Sequence, residues 1–270
     1  MATDKRCPFV TVIPACLALG LVAASPPVQQ NHQGVAQHAA EMNKKFSDPK
    51  LDVREQVERF ESDSRDIYTK RLEIVRTVGL RPGEAVADIG AGTGLFTRLF
   101  AEQVGPKGTV YAVDIGPAFL KHIAEQAKRH GQGQVVKTVL NTQDATNLPP
   151  DSIDVAFTCD TYHHFEHPGR MLGSIHRALK PGGRLVIIDF DLRADSSEMV
   201  KHRARGPKEL YFREIADAGF ERVEGKVAPK LKDDFFAVFR RVDHGPPPAT
   251  KGKDRGDSQP AHSHRQAGES

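Results

Sequence analysis

Apolar and polar positions change their rhythm along the chain, and each change marks an element. Over residues 53–78, Val57, Phe60, Ile67, Leu72 and Val75 fall at helical spacing, and Arg81-Pro82-Gly83 ends the run, which predicts one helix. A short apolar strand over 85–89 runs into a Gly-rich turn and then a helix to about Val104. Strands at 109–113, 135–140, 153–159 and 184–190 then share the chain with helices at 118–129 and 171–179, the second stopped by Lys180-Pro181-Gly182-Gly183. A helix over 208–218 closes at Gly219, and strands at 222–227 and 235–240 follow with no helix between them, which predicts a terminal hairpin. Strands alternating with helices bury both faces of a parallel sheet. The expected fold is therefore α/β: a Rossmann-like, seven-stranded, mostly parallel sheet with helices on both faces, over residues 44–243.

Both ends break this pattern. Residues 10–24 are uncharged and apolar, preceded by Lys5 and Arg6 and closed by Ala23-Ala24-Ser25, which are the three parts of a secretory signal over 1–25. The run falls short of the roughly 20 apolar residues of a membrane span, so no stable span is expected in the mature chain. Export to the periplasm or beyond is the expectation, with a cytoplasmic chain as the alternative. Residues 26–43 lack apolar periodicity and are expected to be a linker, and 244–270 are too polar to offset chain entropy and are expected to be a disordered tail.

Composition narrows the function classes. Of 270 residues, 39% are hydrophobic and 27% charged, with a net charge of +3 that does not indicate nucleic-acid binding. Past the leader only Cys159 remains, so neither an internal disulfide nor a cysteine metal site is expected. Cys159 closes an apolar strand, where a free cysteine packs as a small hydrophobe.

The turn Asp88-Ile89-Gly90-Ala91-Gly92-Thr93-Gly94 carries the chemistry. Parallel sheets bind ligands at the carboxyl ends of their strands. Glycines there let backbone approach a ligand, and the following helix offers free N–H groups. A dinucleotide turn places its third glycine three positions after the second, whereas here Gly94 comes after two, and no Gly-Lys-Ser/Thr phosphate loop follows. A carboxylate at Asp88 suits an ammonium better than a pyrophosphate. Asp114, at the tip of the next strand, can accept both hydroxyls of a ribose. After the third strand, Asp144 can receive an adenine amino group.

In this order, with an apolar fourth strand and Pro181-Gly182-Gly183 before the fifth, these features resemble the class I S-adenosylmethionine-dependent methyltransferases over about residues 70–240. The resemblance implies that Asp88, Gly90, Ala91, Gly92 and Gly94 line the methionine portion of the cofactor. It further implies that Asp114 and Ile115 hold the ribose and flank the adenine, and that Asp144 and Ala145 read the adenine edge. Asp160 and Tyr68 complete the implied cofactor set. Phe60-Glu61, Ser64-Arg65-Asp66-Ile67-Tyr68 and Cys159-Asp160-Thr161-Tyr162-His163-His164-Phe165-Glu166 resemble small bacterial methyltransferases, some exported, of undefined substrate.

The end of the fourth strand faces the transferred methyl in that architecture, so His163 is the candidate base, or else packs beneath the next helix. His202, after the fifth strand, is the second catalytic candidate, on a loop that closes over the acceptor in such enzymes. Arg203 and Arg205 suit a carboxylate or phosphate on the substrate, or are solvated charges. Tyr68 and Arg71 suit a lid at the methionine end. The expected activity is methyl transfer from S-adenosylmethionine to a small molecule. The rivals are a cofactor-binding sensor or scaffold and, less well matched in glycine spacing, a nicotinamide-dependent oxidoreductase.

Overall fold

The computed structural model describes residues 32–225 and 228–242. The expected leader and tail lie outside them. Seven strands form one sheet in the order β3-β2-β1-β4-β5-β7-β6. They are β1 (Ala85–Ile89), β2 (Thr109–Asp114), β3 (Val136–Leu140), β4 (Ile153–Cys159), β5 (Leu179–Phe190), β6 (Phe220–Arg222) and β7 (Asp234–Arg241). The first five pair in parallel, and β7 runs antiparallel between β5 and β6. The predicted terminal hairpin is thus the β6–β7 pair. Strand order reverses between β1 and β4, and in open α/β sheets such a switch point is where the strand tips part to admit a ligand.

Period-two burial builds a core on each face. Val86, Val110, Val155, Phe157, Val186 and Ile188 pack against α4 (Arg71–Val78), α5 (Leu95–Val104) and α6 (Pro117–Arg129). Ala87, Ile89, Ala156, Leu185 and Ile187 face the other way, toward α7 (Pro168–Ala178) and α9 (Lys208–Asp217). Phe100 and Phe157, both fully buried, stack edge to face at 4.9 Å between ring centres. Burial of each contributes about 2–3 kcal/mol.

Three departures from the sequence reading matter for the site. The helix expected over 53–78 is three: α2 (Val53–Phe60), α3 (Asp66–Thr69) and α4. Between α2 and α3, Ser62 Oγ accepts from the Ser64 amide at 3.3 Å and the Ser62 carbonyl from the Arg65 amide at 3.0 Å, a local turn that competes with helix. The expected linker contains α1 (His32–Lys44), a helix whose stability comes from docking rather than from periodicity. Asn43 makes that dock, donating to the His164 carbonyl at 3.0 Å and to Glu166 Oε1 at 3.1 Å. Finally, α8 (Glu198–Arg203) fills a stretch with no assigned element, capped by Ser197. The helix α7 ends just before Lys180-Pro181-Gly182-Gly183, while β5 begins earlier than Arg184: it starts at Leu179, pairs with Ile153, and resumes at Arg184 opposite Val155 across a register shift.

Candidate active site

The glycine turn is fastened to β2. The amides of Gly90 and Ala91 donate to the Val113 carbonyl at 2.8 and 3.1 Å. Gly90 has φ +73°, and a Cβ there would lie 2.2 Å from Thr161 Cγ2, so β1 and the end of β4 meet only because the side chain is missing. Gly94 plays a different part from the one expected. It caps α5 at φ +81°, and a Cβ would sit 2.8 Å from Ile123 Cγ1, so it serves helix packing and does not line the pocket.

A cavity of about 710 Å³ opens at the switch point. Asp88, Gly90, Ala91, Gly92, Asp114, Ile115, Asp160, His163 and His202 all line it. Asp114 lies at its floor, 5% exposed, with Oδ2 accepting from the Gly92 amide at 2.8 Å and Oδ1 from the Gly116 amide at 2.7 Å. An ionised carboxylate has about four acceptor positions, so two amides leave room for two hydroxyls. Burial raises Asp114 to about 6 against the pull of those amides. Asp88 accepts from Thr97 Oγ1 at 2.6 Å and is raised by burial to about 7.

Besides Gly94, three expected cofactor residues fall elsewhere. Asp144 pairs through Oδ2 with Arg170 at 3.2 Å and, with Ala145, lies outside the lining, although its Oδ1 is buried without a hydrogen-bond partner. Asn141, Thr142 and Gln143 line the cavity instead, and Asn141 Oδ1 is a buried acceptor with no partner, which fits a ligand bringing an amino group. Tyr68 also lies outside the lining, with the Arg71 guanidinium 4.2 Å above its ring and Arg71 Nη1 donating to its carbonyl at 2.7 Å. Neither forms a lid. In their place the 60–65 turn supplies Phe60 and Arg65, held because Glu61 accepts from Thr93 Oγ1 at 2.8 Å and pairs with Arg98.

The adjacent histidines have unlike surroundings. His163, 3% exposed, donates from Nδ1 to Asp189 Oδ1 at 2.9 Å, and its amide donates to Asp189 Oδ2 at 3.2 Å. Burial pushes the Asp189 carboxyl up, but His163 and the Phe190 amide more than offset this and hold it below the usual range. An ionised Asp189 accepts from Nδ1–H, so in the neutral ring the lone pair falls on Nε2. His164 is lowered to about 3, chiefly by burial and then by His163, and its Nδ1 lies 2.9 Å from Asn43 Oδ1. It stays neutral and structural. Sequence reasoning missed Asp189, although a carboxylate inside the apolar run Ile187-Ile188-Asp189-Phe190 was the available signal.

On the same side, Asp160 pairs with Arg65 and abuts Asp234, the first residue of β7. Burial and then the Asp160 charge raise Asp234 to about 10. His202 lines the cavity from α8, and its carbonyl accepts from His38 Nε2 of α1 at 3.1 Å. Arg203 reaches the cavity, but Arg205 does not: it is locked to Glu214 at 2.7 and 2.8 Å, where Tyr162 Oη also donates at 2.8 Å. Cys159 packs against the core, and burial drives its thiol well above the ordinary value, in keeping with an inert cysteine.

Known proteins were compared with this geometry. Residues 87–185 match the family model described as the methyltransferase domain. The chain is 33% identical over 121 residues to a ubiquinone/menaquinone biosynthesis C-methyltransferase of Hahella chejuensis, a match covering 45% of this chain and 48% of that protein. The chain thus spans about half the length of the curated relatives it matches. The structure is similar to that of an S-adenosylmethionine-dependent methyltransferase from Aquifex aeolicus, with a TM-score of 0.59 at 24% identity, over 72% of this chain and 100% of that one. It is also similar to the cyclase SpnF, with a TM-score of 0.52 at 20% identity, over 74% of this chain and 75% of that one, so architecture alone does not assign the reaction. Among the described residues no helix is long and apolar enough to cross a membrane. The described domain has the class I methyltransferase fold, and S-adenosylmethionine is the cofactor that its strand-tip carboxylates suit.

Proposed function

We propose that the chain transfers a methyl group from S-adenosylmethionine to a small-molecule acceptor. The observation that carries this reading is Asp114, a carboxylate buried at a strand tip beside a glycine turn, with spare acceptor positions toward the cavity. When bound, the cofactor supplies a methyl group on a cationic sulfur. Asp114 would hold its ribose, Asp88 would favour its cationic end, and Asn141 would accept from its adenine amine.

His163 supports catalysis over binding alone, because a sensor has no use for a buried imidazole oriented by a buried carboxylate. The cofactor would supply the methyl group and keep the bonding electrons on its sulfur, and the protein's own residues would handle the acceptor's proton. The acceptor's proton passes to His163 Nε2, and Asp189 stabilises the imidazolium so formed. The cavity walls hold the partners together and keep water out. The acceptor named for the Hahella relative belongs to that relative; the shared stretch covers less than half of this chain.

Calorimetric titration of the purified protein with S-adenosylmethionine and S-adenosylhomocysteine tests the cofactor, and both are expected to bind. Absence of heat with both ends the proposal. Transfer of labelled methyl to a small-molecule fraction of cell extract separates an enzyme from a binding module.

A further inference from the structure

The helical wall of the cavity gathers several cations. Lys45 just after α1, Arg59 of α2 and Arg203 of α8 all line the cavity, and among the described residues none of them makes an ion pair. The other lining cations are matched: Lys44 pairs with Glu41 at 2.5 Å, and Arg65 pairs with Asp160. The lining carboxylates left over, Asp88 and Asp114, sit at the strand tips and are used by Thr97 and by backbone amides. Charge in the cavity is therefore segregated, with acid at the sheet and base on the helices.

The three cations are close enough to disturb one another. Burial and then Arg59 and Arg65 pull the Arg203 guanidinium below its ordinary value, with only Asp160 opposing. Burial, Arg59 and Arg203 do the same to Lys45, with Glu55 opposing. Arg203 is partly buried, while Lys45 and Arg59 are exposed, and like charges gathered on one wall of a cavity favour an anionic ligand. Beside them lie aromatic rings: the Arg59 guanidinium is 5.9 Å from the Phe60 ring centre, and Phe46 stands 6.2 Å from Phe60 and 6.1 Å from Phe119.

We propose that the methyl acceptor bears an anionic group, a carboxylate or phosphate, held by Lys45, Arg59 and Arg203, on an apolar body packed among Phe46 and Phe60. This deepens the methyltransferase reading and rests on it. The anion anchors the acceptor at the helical wall, and its far end extends toward His163.

The test titrates protein loaded with S-adenosylhomocysteine with benzoate, phenyl phosphate and their neutral counterpart benzamide. One anion is expected to bind about tenfold or more tighter than benzamide, which names it as carboxylate or phosphate. Arg203→Gln and Arg59→Gln are each expected to remove about tenfold of that affinity while leaving S-adenosylhomocysteine binding within threefold, which also shows that the variants fold. The proposal is overturned if neither anion binds saturably, if benzamide binds as well, or if both variants keep full affinity for the anion. It is also overturned if Arg203→Gln loses S-adenosylhomocysteine while still binding methylthioadenosine, since the cluster would then serve the cofactor's own carboxylate. Failure of the unaltered protein to bind S-adenosylhomocysteine overturns the methyltransferase reading and this inference together, whereas each of the other failures, with S-adenosylhomocysteine still bound by the unaltered protein, overturns this inference alone.

Discussion

The two halves of the cavity are built on opposite plans. The half proposed for the cofactor is local: Asp88, Gly90 and Gly92 lie within one stretch of five residues, and Asp114 joins them through hydrogen bonds between adjacent strands. The half proposed for the acceptor is assembled from distant pieces, with α1 docked on the 162–164 turn, α8 meeting α1, and Asp189 reaching His163 from β5. A local half can be specified by a short motif and shared widely. An assembled half can change its ligand by changing a helix, without touching the sheet.

Substitutions should separate the halves by kinetic parameter. The largest effect is expected at the base: His163→Ala should lower kcat about 1,000-fold, with Asp189→Asn following in the same direction, while S-adenosylhomocysteine affinity stays within threefold. A parallel fall in cofactor affinity, measured by calorimetry, would dissolve the distinction between the halves. Next in size, Asp114→Ala should weaken S-adenosylhomocysteine about 100-fold through lost hydrogen bonds to ribose, whereas Glu198→Ala, on an exposed carboxylate paired with Lys201, should change it less than twofold.

The smallest predicted effect is a pH dependence confined to the cofactor half. Asp88 and Asp114, raised to about 7 and 6, take up protons as pH falls from 8 to 5. A cationic ligand favours their ionised forms, so S-adenosylmethionine affinity should fall about tenfold across that range, and Asp88→Asn should flatten the curve. Without ligand the sign reverses. The unfolded chain gives up these protons at a lower pH than the fold does, so stability should decline as pH rises from about 4 through 7. Thermal melts of the cofactor-free protein check this; a melting point rising over that window would mean that the buried acids are ionised in the fold.

Legibility in the sequence followed the same division. The strands and the helices beneath them were readable because alternation and helical periodicity report burial directly, and the glycine spacing reported the turn. Asp144 was misplaced because its position on a loop says nothing of Arg170, which arrives from α7 and holds it. Tyr68 was misplaced because periodicity ran through the Ser62–Ser64 turn without registering it. The helix α1 escaped because much of its hold on the domain lies in polar contacts, Asn43 to His164 and Glu166 and His38 to His202, that no pattern of apolar residues encodes.

The reversed direction of β7 sets where the chain can be extended. Because it opposes β5, its first residue, Asp234, pairs with Phe190 beside the cavity, and Arg240 pairs with Arg184 at the other rim of the sheet. The strand thus enters next to the reacting groups and exits as far from them as the sheet allows. A fluorescent reporter or immobilising handle joined after Val242 starts at that far rim, leaving the mouth of the cavity open to solvent and to ligands.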